Sequence, residues 1–348
     1  MNTNRSFIFI GPHDDLARLI NEKANLLYHQ LKNLDIDALN FDDFGKYYFS
    51  NHHAGRRLFF SIQSSADIIY QSVKKISKPL SSISLLDYGA GLGTLFLLAS
   101  QVGFKAVFYN DYFESWTQNA QKLCNKLNIS ISGFITGDID AVVEYGTSNN
   151  IQFDIVASRN VVEHIYRLRD FYTKLYSSGI TTICYSTTTA NYHNIAMRLK
   201  HFGVHRRVEN TQFKGQREAR IKELQPEISS NDLQQLVEIT RGRAFDDFTN
   251  AIEFYVNKQP IPPVEFLGTN TCDYKTGVWA ENLLTRKNYK TIIEDAGFSS
   301  DYTPGFWDTH YKYGLFNFAT ACFNRIIKII GKKGYWLSPF VNVIAYKK

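Results

Sequence analysis

Cysteine is scarce in this chain, and the four present, Cys124, Cys184, Cys272 and Cys322, stand far apart. Their spacing forms neither a metal-ligand pattern nor a disulfide framework, which points to a reducing, cytoplasmic setting and to no metal centre. Long apolar runs are also missing. The nearest approach to a membrane span, Leu315 to Ile330, is interrupted by Asn317, Asn324, Arg325 and Lys328, so no transmembrane segment is expected. The N-terminus offers only Arg5 before a short apolar patch and then Pro12, His13, Asp14 and Asp15, which does not read as a secretion signal. Internal repeats and low-complexity tracts are absent.

What is present is the composition of a globular protein. With 348 residues, 44% of them hydrophobic and 21% charged, the chain can bury a sizeable core as one elaborated domain or a domain with a cap. The net charge of +6 is unevenly spread. Arg198, Lys200, Arg206, Arg207, Lys214, Arg217, Arg220 and Lys222 share a stretch with only Glu209 and Glu218 as acids, and Arg325, Lys328, Lys332 and Lys333 cluster near the end. Such patches suit phosphate, a phosphorylated sugar or anionic lipid, and equally a solvated helix face. No stacking aromatics interleave the first patch, so nucleic acid is not the expected partner.

The most informative stretch runs from Ser84 to Ala99. A short apolar run reaches Asp87, a glycine turn follows at Gly89, Gly91 and Gly93, and helical periodicity resumes after Thr94. This is the first βα unit of an open α/β sheet, whose ligand crevice lies at the carboxyl ends of the strands. A dinucleotide site spaces its glycines G-x-G-x-x-G and offers a pyrophosphate to the helix N-terminus. Here the spacing is G-x-G-x-G, and a carboxylate beside the turn repels phosphate but suits an ammonium group.

Three later segments follow in order. Ala106 to Asn110 reads as a second strand ending at Asp111, placed to accept hydrogen bonds from ribose hydroxyls, with Tyr112 and Phe113 available to an adenine or to ordinary packing. Ile135 to Ile139 contains Asp138, and Phe153 to Ile165 gives a strand, a loop with Asn160, and the pair Glu163-His164. Together these resemble class I S-adenosylmethionine-dependent methyltransferases. The resemblance is carried by D-x-G-x-G-x-G at Asp87 to Gly93, by Asp111, by the third-strand motif at Asp138 and Ile139, and by the fourth-strand motif from Asn160 to His164. It implies S-adenosylmethionine as cofactor, with Asp87, Gly89, Gly91 and Gly93 around the methionine part, Asp111 on the ribose, and Tyr112, Asp138 and Ile139 near the adenine. It also implies a doubly wound, mostly parallel seven-stranded sheet whose last strand is antiparallel. Gly297-Phe298, Thr303 to Trp307 and Pro339 to Tyr346 fit the end of the last helix and the two closing strands.

The expected organisation is a helical lid over residues 1–78, a cofactor-binding core over 79–198, a helical insertion over 199–265, and completion of the sheet over 266–348. Helical periodicity covers Asp14 to Asn33 and Arg56 to Ile76. Between them Tyr48, His53 and Arg57 either close over the cofactor or belong to a capping loop. In the insertion, Pro226 breaks the helical pattern, with Ser229, Ser230 and Asn231 as cap candidates.

For the chemistry, His164 either acts as general base or braces the next helix, and His193, after the fifth strand, is the second catalytic candidate. Tyr192, His201 and His205 are weaker ones. Asn270 to Glu281 either lines the acceptor pocket or forms a turn and cap. The expected reaction is methyl transfer to oxygen or nitrogen of a small molecule or of a sugar or lipid-linked glycan precursor, an acceptor that the basic patches allow to be anionic. An inactive protein of this fold serving as a scaffold is the alternative. No Asn-Pro-Pro-Tyr sequence follows the fourth strand, where Ser158-Arg159-Asn160-Val161 stands, which disfavours methylation of nucleobase amines. Phe316 to Lys333 is amphipathic and basic. It permits peripheral membrane contact, although a helix packed on the sheet is the expectation. Oligomeric state is not legible.

Overall fold

The computed structural model describes residues 6–53 and 55–348. Arg5 and Ala54 therefore lie outside the described residues. Three helices lead, α1 (Asp15–Lys32), α2 (Asp43–His52) and α3 (Gly55–Ile76), so the lid segment is largely helical rather than a loop. Side-chain carboxylates cap the first two: Asp14 accepts from the Ala17 N–H and Asp42 from the Gly45 N–H, each satisfying an orphan donor of the first turn.

The core then alternates β1 (Ser84–Asp87), α4 (Leu95–Val102), β2 (Ala106–Asp111), α5 (Glu114–Leu127), β3 (Gly133–Thr136), α6 (Ile139–Ser148), β4 (Phe153–Arg159), α7 (Leu168–Ser177) and β5 (Thr181–Thr188). The insertion contributes α8 (Ile195–Val208), α9 (Lys214–Leu224), α10 (Ser230–Ile239) and α11 (Phe245–Val256). Then come α12 (Arg286–Asp295), β6 (Ser299–Pro304), α13 (Gly314–Ile330) and β7 (Val341–Tyr346). Pro226 falls in the break between α9 and α10, and Ser229 caps α10 through the Asp232 N–H.

Sheet order is β3-β2-β1-β4-β5-β7-β6. All neighbours are parallel except β7, which runs antiparallel to both β5 and β6. The order of succession reverses between the parallel strands β1 and β4, which opens a crevice at their carboxyl ends. The central strands are apolar on both faces, as a doubly covered sheet requires. Leu85, Ile155 and Ile183 face the layer of α1, α3 and α4, whereas Leu86, Val156 and Cys184 face Phe171, Tyr172, Tyr289 and Ile293 of α7 and α12.

Two parts stand apart from this core. The insertion packs its own small cluster of Ile221, Leu236, Val237, Phe248 and Ile252. Helix α13, expected on the sheet, is not there: of its residues only Thr320 and Ile327 are buried. The reason is that both faces are already covered near the closing strands, by α12 with Tyr335 on one side and by α3 on the other.

Candidate active site

At the end of β1 the chain turns through Gly89 (φ 64°) and Gly91 (φ 51°), a left-handed backbone that suits glycine. The turn is tied on three sides. Buried Asp87 accepts the Phe96 N–H at 3.0 Å and so holds the start of α4. Thr94 Oγ1 meets Ser61 and Ser65 of α3 at 3.0 and 2.8 Å, all three buried. Asp111, at the end of β2, accepts the Gly91 N–H at 2.9 Å and the Phe113 N–H at 3.2 Å. A Cβ built on Gly91 would meet nothing nearer than Asp111 Oδ2 at 4.0 Å, so the backbone there borders open space.

A cleft of about 620 Å³ lies over this turn. Gly89, Asp111, Tyr112, Asp138, Ile139, Asn160 and His164 all line it. Tyr112 and Phe113 are exposed there, with ring centroids 5.0 Å apart. Asp138 caps α6, accepting the Asp140 N–H at 3.0 Å with one oxygen. Asn160 takes a left-handed backbone (φ 58°) and donates its N–H to the Thr187 carbonyl, which turns the chain out of β4 beside the cleft. Other cavities under the insertion touch neither the glycine turn nor the ends of β1 and β2.

Two residues important to this end of the sheet carried no assignment from sequence. Asn110 is buried and links three elements: its Nδ2 donates to the carbonyls of Ile135 and Gly137, and its own carbonyl accepts the Ala90 N–H. Arg159, the last residue of β4, lines an adjoining cavity of about 340 Å³ with Asn160, Arg56 and Arg57. No carboxylate pairs with Arg159 among the described residues, whereas Arg56 pairs with Asp308 at 2.7 Å.

The charges interact across the turn. Burial pushes the Asp87 carboxyl up to about 7, against the pull of the Phe96 N–H and the Arg159 guanidinium. Burial likewise raises Asp111, opposed by the N–H groups of Phe113 and Gly91. From the lid, Tyr48 is raised by burial and stacks on His52 at 4.3 Å. His53 is 5% exposed, and neither ring nitrogen has a hydrogen-bond partner among the described residues. Burial and Arg159 hold it at about 3, hence neutral. Arg57 donates to the Asn51 carbonyl and lines the Arg159 cavity.

The acceptor-side candidates divide. His164 lines the cleft, and its Nδ1 meets the Trp279 carbonyl at 2.7 Å. His193 lines neither cavity. Its Nε2 accepts the Arg286 N–H at 3.0 Å, and its ring packs near Tyr335 and Trp336 at 4.9 and 5.0 Å. Asn191 ties the segment after β5 to the Tyr335 and Ser338 carbonyls, and His193 there braces the start of α12. Tyr192 lies under Arg198. Of Asn270 to Glu281, Thr276, Gly277 and Val278 reach the cleft, while Cys272 and Trp279 pair as a bridge; the cap of α12 is Thr285.

No family model matches the chain, and no curated protein matches it in sequence. Among solved structures it is similar to the magnesium protoporphyrin IX methyltransferase of Synechocystis PCC 6803 with bound SAH, at 12% identity over 88% of this chain and 96% of that one (TM-score 0.42). It is also similar to the plantazolicin methyltransferase in complex with SAH, at 13% identity over 95% and 100% (TM-score 0.42). A third is an S-adenosylmethionine-dependent methyltransferase from Mesorhizobium loti, at 10% identity over 80% and 98% (TM-score 0.38). By its own strand order and its antiparallel β7, this chain has the Rossmann-like fold of class I methyltransferases.

Proposed function

We propose that the chain transfers a methyl group from S-adenosylmethionine to oxygen or nitrogen of a small molecule, or of a sugar or lipid-linked glycan precursor. The observation that carries this reading is the open cradle at Gly91 beside Asp111, an acid at the end of β2 whose remaining lone pairs suit two ribose hydroxyls. Asp87 as carboxylate and Arg159, which pairs with no carboxylate among the described residues, give the turn one anionic and one cationic side chain, the complement of an α-amino acid. Buried His53 adds a polar ring from the lid. Tyr112, Asp138 and Ile139 border the adenine end, with Gly89 and Gly93 under the methionine part. When bound, the cofactor supplies a methyl on a cationic sulfonium, so the protein's share is alignment and exclusion of water. His164 and Asn160 lie where that alignment meets the acceptor.

Calorimetry with S-adenosylhomocysteine tests the reading. Wild-type protein binds it, and Asp111→Ala weakens binding by about 3 kcal/mol, roughly 100-fold, through two lost charge-assisted hydrogen bonds. Heat on adding NAD but none with S-adenosylhomocysteine would overturn it. Binding without transfer of labelled methyl to any acceptor class points instead to the scaffold alternative.

One observation favours a lipid-linked acceptor met at a cytoplasmic membrane surface. Leu315, Phe318 and Ile329 of α13 are 79%, 69% and 84% exposed, and exposed Arg325, Lys328, Lys332 and Lys333 flank them. A helix with exposed aromatic and aliphatic residues and a basic rim complements an anionic lipid surface. No helix among the described residues is long and apolar enough to cross a membrane. The N-terminal end of α13 follows Tyr311, which lines the Arg159 cavity.

A further inference from the structure

Behind His164 the fold gathers side chains from distant segments. Glu163 and His164 follow β4, His201 lies on α8, and Glu281 precedes α12. One donor atom from each of Glu163, His164 and Glu281 lies within 4.8 Å of the other two. His201 Nδ1 stands 3.9 Å from Glu281 Oε2.

Hydrogen bonds fix which ring nitrogens are left to offer a lone pair. His164 Nδ1 meets the Trp279 carbonyl at 2.7 Å, and His201 Nε2 meets the Thr189 carbonyl at 2.9 Å. A carbonyl only accepts, so these two nitrogens donate and the other nitrogen of each neutral ring carries a lone pair. Glu163 spends one oxygen on the Thr189 N–H at 3.3 Å. Its Oε2, Glu281 Oε2 and His201 Nδ1 are buried without a partner among the described residues. The facing atoms of the cluster are thus mostly acceptors; Thr188 offers Glu163 one hydroxyl, and a cation satisfies the rest. A proton shared by the two carboxylates would serve those two alone and leave the imidazole lone pairs unused. Each imidazole also has a carbonyl on its far nitrogen, the arrangement that orients metal-bound histidine. The donors are nitrogen and oxygen without sulfur, which suits Mn²⁺, Fe²⁺ or Zn²⁺.

We propose that Glu163, His164 and Glu281, with His201 as fourth donor, bind one first-row divalent cation, which in turn holds an oxygen of the acceptor at the mouth of the cleft. The cation site stands on the cluster itself; only the acceptor's part rests on the methyl-transfer reading. The site departs from the expectation of no metal centre, because its ligands come from segments far apart in sequence and share no spacing.

The test is titration of the full chain with Mn²⁺, following the free ion by electron paramagnetic resonance. One ion binds, and Glu163→Gln and Glu281→Gln each weaken it roughly tenfold or more. The Glu281 side chain is 19% exposed, so that variant keeps the test valid should Glu163→Gln fail to fold. Absence of binding of both Mn²⁺ and Zn²⁺, or binding that neither substitution changes, overturns the site. Calorimetry with S-adenosylhomocysteine on Glu281→Gln separates the two readings: cofactor affinity stays at the wild-type level while Mn²⁺ affinity falls. Mn²⁺ binding without cofactor binding removes the methyl-transfer reading and leaves the cation site standing. Labelled-methyl transfer to a hydroxyl acceptor that a chelator does not affect overturns the acceptor's part.

Discussion

The donor half of the crevice and the acceptor half are held together across different lengths of chain. Around the cofactor turn, the bonds that set geometry join neighbouring βα units: Gly91 to Asp111 over 20 residues, Asn110 to Ile135 over 25. On the acceptor side His164 reaches Trp279 across 115 residues and His205 reaches Glu281 across 76. The first half follows from strand succession in a parallel sheet. The second exists only once the insertion and the segment that follows it have docked.

The sharpest way to break this contrast is to damage the insertion and watch the cofactor. Arg217 is fully buried, bonds Glu209 at 2.6 and 3.1 Å and reaches Thr271 at 3.4 Å, which ties α9 to the acceptor segment. Arg217→Met leaves the Glu209 carboxylate without its guanidinium, a loss of about 3–5 kcal/mol. In urea unfolding the insertion opens earlier by that amount, while S-adenosylhomocysteine affinity stays near wild type. A parallel fall in cofactor affinity would show that the halves fold as one unit.

The same contrast explains what was legible in the sequence. Gly89, Asp111 and Asp138 sit at or just after strand ends, where alternation of strand and helix places them beside one crevice, while Asp87 and Gly91 belong to the same turn without lining it. The antiparallel last strand was implied by the resemblance, and the structure adds the strand order. Arg159 and Asn110 were equally local, but a charged or amide residue at a strand end has no spacing signature of its own, and their roles emerged from which partners they have or lack. Position after β5 does not reveal that Tyr302, Tyr335 and Trp336 close around His193. Glu281 stood only as the end of a segment that could line the acceptor pocket, with nothing to single it out. The exposed face of α13 reads as core in sequence, since its apolar residues match a buried helix as well as a membrane-facing one.

A smaller effect is expected from pH in the donor half. The folded Asp87 carboxyl titrates near 7, well above its ordinary 3.8. The folded state therefore holds this proton more tightly than the unfolded chain, so the group favours folding at low pH and that contribution is lost as pH rises from about 4 to 7. Cofactor binding runs the opposite way, because an ammonium group needs the carboxylate. S-adenosylhomocysteine affinity is flat above neutrality and falls up to about tenfold per pH unit below it. Asp87→Asn binds more weakly at pH 8 and loses most of this slope. A wild-type profile flat from pH 8 to pH 5.5 would remove Asp87 from the ammonium role, while the acceptor half, lacking this group, would be unchanged in Mn²⁺ affinity by Asp87→Asn.

The smallest effect on the fold is expected where the exposure is greatest. Leu315, Phe318 and Ile329 make few buried contacts, and substitutions at exposed sites typically move stability by less than about 0.5 kcal/mol. Phe318→Glu with Ile329→Glu should therefore leave the thermal transition and S-adenosylhomocysteine affinity nearly unchanged. The same pair should abolish flotation with vesicles of anionic lipid, because it removes apolar area that enters the interface and sets carboxylates against the surface charge. Flotation that is absent in wild type, or that survives both substitutions, separates α13 from any membrane role and returns the acceptor to the soluble class. A large loss of stability would mean that α13 is covered by protein in solution, with a second copy of the chain as its first candidate partner.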